Sequence, residues 1–468
     1  MDSNWTSIDR VNQDVRGVLR RAGEDGLTVL DEVALRERLI EPLVYGAVLG
    51  RDAVLRDICR WLIRKAARAV GVFPASIYEL YVARGQGGWR GPTVPAINAR
   101  GLTYDMARAA FRAARQIEAG AFILEIARSE IGYTQQPPAE YAAAVLGAAI
   151  REGYRGPVFL QGDHYQVSRS RFQQEPQAEI QALRSLIAES IQAGFFNIDI
   201  DASTLVDLSR SSPEAQQEPN YTVTAELSDA IREHQPTGVT ISIGAEIGEV
   251  GGRNSTVEDL DAFMSGYLRS TGVQGVSTGI TKMSVQTGTS HGGVLLPDGS
   301  MAQVSLDFHT LQRLSEVARE RYGMAGAVQH GASTLPDELF HRFPQVETAE
   351  IHLATGFQNT VYDSPHFPSG LREEIYAYVR EAYGAGKLPE ETDAQLLYRE
   401  RKRAWGPFKG KTWDIPEPNR SRIGGELEAR FTFLFAQLGI AHTRELVDRY
   451  IRPVAAPVPM PAQLKKGW

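Results

Sequence analysis

Several short apolar runs in this chain turn polar at their C-terminal ends, and the polar residues are of kinds that move protons or hold metal ions. PVFLQGDH (157–164) ends in Asp163 and His164, FFNIDIDAS (195–203) in Asp199, Asp201 and Ser203, and VTISIGAEIG (239–248) carries Glu246. TKMSVQTGTSHG (281–292) ends in His291 and Gly292, GAVQHGAS (326–333) in His330, Gly331 and Ser333, and AEIHLAT (349–355) carries His352 before Thr355. Four of the nine histidines therefore fall on these runs: His164, His291, His330 and His352. A single histidine there is more simply a satisfied core residue. Several that converge each need a partner when buried, and three imidazoles with an open position form a catalytic zinc arrangement. A carboxylate such as Asp163 beside that centre would transfer a proton or orient an imidazole. Neighbours on a strand point to opposite faces, so Asp163 and His164 can share a site only where the backbone turns. The small residues Gly292, Gly331, Ser333 and Gly356 would let backbone N–H groups approach an anion closely, beyond merely forming tight turns.

These residues need a frame that gathers strand ends. VPAINARG (94–101) and AFILEIA (121–127) bring the apolar runs to eight, and helix-like segments such as QAEIQALRSLIAESIQAG lie between them. Strands alternating with helices imply parallel pairing through right-handed crossovers. Eight such units over roughly 260 residues predict an α/β fold, the (β/α)8 TIM barrel, whose chemistry sits at the C-terminal rim. A doubly wound sheet is the alternative, but it would place its ligand at one switch point. The expected organisation is a helical N-terminal extension (1–92), a catalytic barrel (93–365) and a helical C-terminal extension with a proline-rich tail (366–468). Val54, Leu55, Ile58, Trp61, Leu62 and Val70 recur at helical spacing in the first of these. In the last, the basic-aromatic loop KRAWGPFKGKTW (402–413) could bind a phosphate, although a surface connection accounts for it more simply.

Composition removes several classes of function. The chain has 468 residues, a formal net charge of -7 and 43% hydrophobic residues, so it lacks a global basic footprint for nucleic acid. Cys59 is the single cysteine, which excludes a disulfide scaffold and a cysteine-based zinc site. No apolar run approaches the ~20 residues that span a bilayer, and the polar start MDSNWTSIDR has no apolar signal segment. A cytoplasmic protein with no membrane partner is expected.

In this order, the motifs resemble the class II, metal-dependent fructose-bisphosphate aldolase family from about Pro92 to Asp363. GDHYQVS is similar to its Asp-His motif, IDIDAST to its Asp-Gly-Ser segment, and GAEIGEVGG to its Glu-x-Gly-x-x-Gly-Gly stretch. GTSHGG and QHGAST resemble its last two histidine motifs, and EIHLATGFQ its eighth strand. The resemblance implies Zn2+, or another divalent transition metal, on His164, His291 and His330, with Glu246 near it. It implies Asp163 as the acid/base at the C4 hydroxyl, Asp201 and Ser203 near the substrate, and Gly292, Gly331, Ser333 and Thr355 around a phosphate and a monovalent cation. It further implies cleavage of a ketose bisphosphate such as fructose 1,6-bisphosphate to dihydroxyacetone phosphate and an aldehyde, by a homodimer or homotetramer.

The sequence departs from the family at three places. His352 stands where the family has a substrate-contacting asparagine, and Glu350 stands where it has a lysine. The acidic pair after Gly-Gly is displaced, leaving Glu258 as the candidate second proton-transfer group or an ordinary helix-start acid. Lys282 is the only lysine on the eight runs and opens its strand, which argues against a Schiff-base route. The rival readings are a non-catalytic aldolase-like subunit and a metal-dependent hydrolase on the same barrel.

Overall fold

The computed structural model describes residues 8–23, 26–248, 253–272, 279–288, 295–296, 306–454 and 456–464. Its strands are β1 (Leu19–Ala22), β2 (Gly26–Val29), β3 (Val72–Ala75), β4 (Val94–Asn98), β5 (Ile123–Ala127), β6 (Gly156–Gln166), β7 (Asn197–Asp201), β8 (Ser242–Glu246), β9 (Ile280–Val285), β10 (Ala327–Gln329) and β11 (Glu350–Leu353). β4 to β11 are the eight expected runs. Each pairs in parallel with the next, and β11 pairs with β4, so the sheet closes on itself. The protein is a (β/α)8 barrel. Its strands are buried on both faces, because helices cover the outside and side chains fill the inside.

Local sequence sets where the crossovers begin and stop. The helix Pro176–Ala193 starts on proline, whose fixed φ suits a first helical position, and stops at Gly194, which takes a left-handed φ of 101°. The helix Val257–Thr271 opens on a capping box between Thr256 and Asp259.

The N-terminal segment is not wholly helical. β1 and β2 form an antiparallel ribbon, and β3 joins the barrel sheet along the first half of β6, from Val72 beside Gly156 to Ala75 beside Phe159. Beyond that point β7 takes over as the neighbour of β6, starting with Gln161 beside Asn197. β3 and the helix Tyr78–Gly85 thus close the underside of the barrel, where Ile77, Leu80, Tyr81 and Trp89 pack on Val94, Ile123 and Phe159. Arg84 is fully buried there and donates to the carbonyls of Pro92, Glu347 and Thr348.

The C-terminal segment wraps the outside. Its helix Glu417–Gln437 lies on the barrel helix Thr103–Gln116, fastened by Arg420 to Asp105 at 3.2 Å and by Arg112 to Glu428 at 2.5 Å. KRAWGPFKGKTW is not a free loop: a 3-10 turn (Arg401–Ala404) leads to buried Trp405, whose ring covers Gly101 so closely that a Cβ there would come within 2.3 Å. No helix among the described residues is long and apolar enough to cross a membrane.

Candidate functional site

The C-terminal strand ends open into one cavity of about 1100 Å³. Nine of the expected site residues line it: Asp163, His164, Asp201, Glu246, His330, Gly331, Ser333, His352 and Thr355. His291 and Gly292 lie outside the described residues. Ser203 does not line this cavity but is buried behind it, donating its hydroxyl to Asp201 at 2.7 Å. Glu258 corrects the expectation: it is exposed in the first turn of Val257–Thr271 and lines no part of the cavity. The displaced acidic pair serves structure, since Asp259 caps that helix and takes both guanidinium nitrogens of Arg253.

Asp163 and His164 reach the same space because β6 bulges. The β6–β7 register slips between Gly162 and Tyr165, and His164 adopts a φ of 40°. A bulge bends its strand and re-aims a side chain, which resolves the problem of two neighbours on opposite faces. Gly162 makes the bulge possible: the ring of Tyr165 lies over it, and a Cβ would come within 2.4 Å of that ring.

The imidazoles form a stack across the mouth. The His164 and His330 rings are 4.2 Å apart, and the His330 and His352 rings 4.0 Å. His164 Nδ1 is 3.1 Å from both Asp201 Oδ2 and Glu246 Oε2. His330 Nε2 is 3.0 Å from the Ser284 hydroxyl. His352 Nδ1 is 3.1 Å from both Glu125 Oε2 and Asp163 Oδ1, and its Nε2 is 2.6 Å from Glu350 Oε1.

Below the stack lies a buried charge cluster. Lys282 is the third residue of β9, inside its strand and not at its opening as expected. Its ammonium meets Asp199 at 2.9 Å, Glu350 at 2.5 Å and Gln161 Oε1 at 2.7 Å. Glu350 also accepts from the hydroxyl of Tyr81, which rises from the underside. Gly244 leaves room for this: a Cβ there would stand 2.3 Å from Asp199 and 2.8 Å from Lys282. Where the family pattern has a lysine on the eighth barrel strand, this chain has Glu350, and the cation comes instead from the sixth. A Schiff base on Lys282 is disfavoured for a reason better than its position, since burial lowers its pKa but Asp199 and Glu350 outweigh this and hold it charged.

Carboxylates exceed their fixed partners at the mouth. Burial and the charge of Asp201 raise Glu246 to about 7, with His164 pulling the other way. Burial and the charge of Asp163 raise Glu125 to about 7 as well. Burial would lower His164 and His352, but the acids around them win and hold both well above the ordinary imidazole value. Asp201 is likewise buried, yet its bonds from His164, Ser203 and Gln166 hold it below its ordinary value.

This donor set suits a divalent ion. Ligand atoms of His164, Glu246 and His330 lie within 4.8 Å of one another, as do those of Asp163, His330 and His352. The 3.1 Å between His164 Nδ1 and Glu246 Oε2 is near the ~3.4 Å edge of a tetrahedron with bonds of about 2.1 Å. A dication would offset the surplus of buried negative charge. The third such group, Asp199, Glu350 and His352, is already occupied by the Lys282 ammonium.

Fold, strand-end chemistry and motif order agree with comparison against known families. The model for fructose-bisphosphate aldolase class-II matches residues 89–396. The chain belongs to the class II fructose-bisphosphate aldolase family. A solved structure agrees in fold. A probable tagatose 6 phosphate kinase from Sinorhizobium meliloti 1021 is 16% identical, with a TM-score of 0.51 over 80% of this chain and 98% of that one. A fructose-bisphosphate aldolase from Campylobacter jejuni is 17% identical, with a TM-score of 0.47 over 80% and 96%. A fructuronate-tagaturonate epimerase from Cohnella laeviribosi is 13% identical, with a TM-score of 0.48 over 87% and 90%. A search of curated protein sequences finds no match.

Residues that sequence reasoning missed also line the cavity of this family member. Glu125 lines the cavity from β5, and its signal was a lone acid inside the apolar run AFILEIA. Arg100 follows β4 and is held by Glu130 at 2.8 Å, while Glu130 also accepts from Asn98 and the amide of Ala127. Lys402 reaches the cavity from the C-terminal extension.

Proposed function

We propose that the chain is a divalent-metal-dependent aldolase that reversibly cleaves a ketose bisphosphate into dihydroxyacetone phosphate and an aldehyde, with fructose 1,6-bisphosphate as the first substrate to test. The observation that carries this reading is the convergence of His164, His330 and Glu246 with Asp163 at one barrel mouth. His164, His330 and Glu246 would hold the ion, joined by His291. When bound, the ion supplies Lewis-acid polarisation of the substrate's carbonyl and hydroxyl oxygens.

The chain's own groups do the rest. Asp163 removes the C4 hydroxyl proton in cleavage and returns it in condensation. His352 faces it at 3.1 Å and, held as a cation, places a positive charge beside that carboxylate. Gly331, Ser333 and Thr355 take the phosphate nearest the reacting carbons, together with Gly292, and the helix Thr355–Asp363 points its N-terminal amides at the same place. Anchoring the phosphate holds the carbon skeleton in reacting geometry.

A coupled assay on fructose 1,6-bisphosphate, run with and without a chelator, tests the reading. Cleavage lost to chelator and restored by zinc is expected. No cleavage of fructose, tagatose or sedoheptulose bisphosphate would sink it, leaving a non-catalytic subunit or a hydrolase on the same barrel.

A further inference from the structure

The rim of the cavity carries cations as well as acids. Arg100 and Arg128 both line it, but each has fixed partners: Arg100 has Glu130 and, at 3.1 Å, the Thr355 hydroxyl, and Arg128 has Glu179. Lys402 lines the same cavity and is half-buried, yet among the described residues its ammonium makes no hydrogen bond or ion pair. The acids closest to it are already engaged. Glu400 takes Arg399 and Arg403, and Glu130 takes Arg100 and Asn98. The other lysines of the same basic-aromatic stretch point elsewhere, Lys409 to Glu140 and Lys411 to Glu374.

The position of Lys402 is built, not incidental. Its predecessor Arg401 is clamped by Asp363 at 2.5 Å and Asn359 at 2.7 Å. Trp405, three residues on, is buried against Gly101 and donates to Gln358 at 3.3 Å. Burial and the neighbouring Arg100 hold the Lys402 ammonium below its ordinary pKa. Two cations kept side by side at a partly dry site repel, and an anion between them removes the cost.

We propose that Lys402, with Arg100, binds a terminal oxyanion of the substrate, so that the C-terminal extension is a substrate-binding element of the barrel. Lys402 lies beyond residue 396, where the family match ends, so this contact is an addition of the extension to the barrel. The assignment rests on the reading of this cavity as the substrate site. The oxyanion is a phosphate or a carboxylate, and these two share the chemistry that a lysine–arginine pair recognises.

The test reads binding, not turnover, so it stands even if the aldolase reading fails. Metal-loaded full-length protein, Lys402→Gln and Lys402→Arg would be titrated by calorimetry with inorganic phosphate and, separately, with gluconate. Lys402→Gln should weaken one of the two by about 10- to 100-fold, the range for a lost bond to a charged group. Lys402→Arg should retain most of the affinity. The unliganded Lys402→Gln protein should melt at or above the wild-type temperature, because a like-charge contact has been removed. A loss with phosphate identifies a phosphoryl group, and a loss with gluconate a carboxylate. Equal affinities in wild type and Lys402→Gln for both anions, or no binding of either by wild type, would overturn the proposal.

Discussion

Asp163 Oδ1 lies 3.1 Å from Nδ1 of His352, and the far nitrogen of the same ring lies 2.6 Å from Glu350. The acids around this imidazole outweigh its burial and hold it well above its ordinary value, as a cation. That cation favours the ionised form of Asp163. His352→Asn, which restores the residue of the family pattern, should leave metal content unchanged and move the acid limb of the kcat–pH profile upward. An unmoved limb would show that Asp163 is not the group being titrated.

Asp163 and His330 should separate cleanly in their effects. Asp163→Ala should keep the metal and lower kcat by about 10²–10⁴-fold, the usual range for a lost proton-transfer group. His330→Ala should weaken metal binding, measured by titration against a competing chelator. Metal loss in the first variant, or unchanged affinity in the second, would reverse the two roles.

Metal removal should make stability depend on pH in a particular direction. Glu125 and Glu246 are raised to about 7, and Asp199 to about 6, against unfolded values near 4. The folded chain then binds more protons than the unfolded chain in that window, so stability falls as pH rises through it. His164 and His352 extend the trend above the ordinary imidazole value, since their folded forms also keep protons there. The chelated protein should therefore melt at a lower temperature at pH 8 than at pH 5.5, and the metal-loaded protein should show a smaller drop. A flat chelated profile would mean that these acids are compensated by other means.

Lys282 is worth testing for stability, apart from any catalysis. Lys282→Met would leave Asp199 and Glu350 buried without their cation and should cost about 3–5 kcal/mol in denaturant unfolding. Pairing it with Glu350→Gln should recover part of that loss. A cost under about 1 kcal/mol would show that water or protons replace the ammonium readily.

The barrel was legible because each strand announces itself twice, by an apolar run and by the polar residues that end it. Nine of the residues expected at those ends line one cavity. The floor beneath them was not legible. Lys282, Asp199 and Glu350 lie on three different strands, and nothing local to any of them says which charge it will meet. Glu258 misled for a related reason: an acid after a glycine pair fits both a mobile base and a helix start, and the capping box at Thr256 decides for the helix. Lys402 sits near other lysines that pair with acids, Lys409 with Glu140 and Lys411 with Glu374, so only the folded chain distinguishes it. The ribbon of β1 and β2 escaped because four-residue strands such as LRRA carry too little alternation to outweigh the helical pattern around them.

Tyr81 belongs to a helix that precedes residue 89, where the family match begins, yet its hydroxyl bonds to Glu350, which holds His352, which faces Asp163. A line of two hydrogen bonds and one ion pair thus runs the depth of the cylinder. A fragment trimmed to the homology boundary would keep every motif and still lose the last link of that line, so sequence similarity alone does not mark where this catalytic unit can be cut.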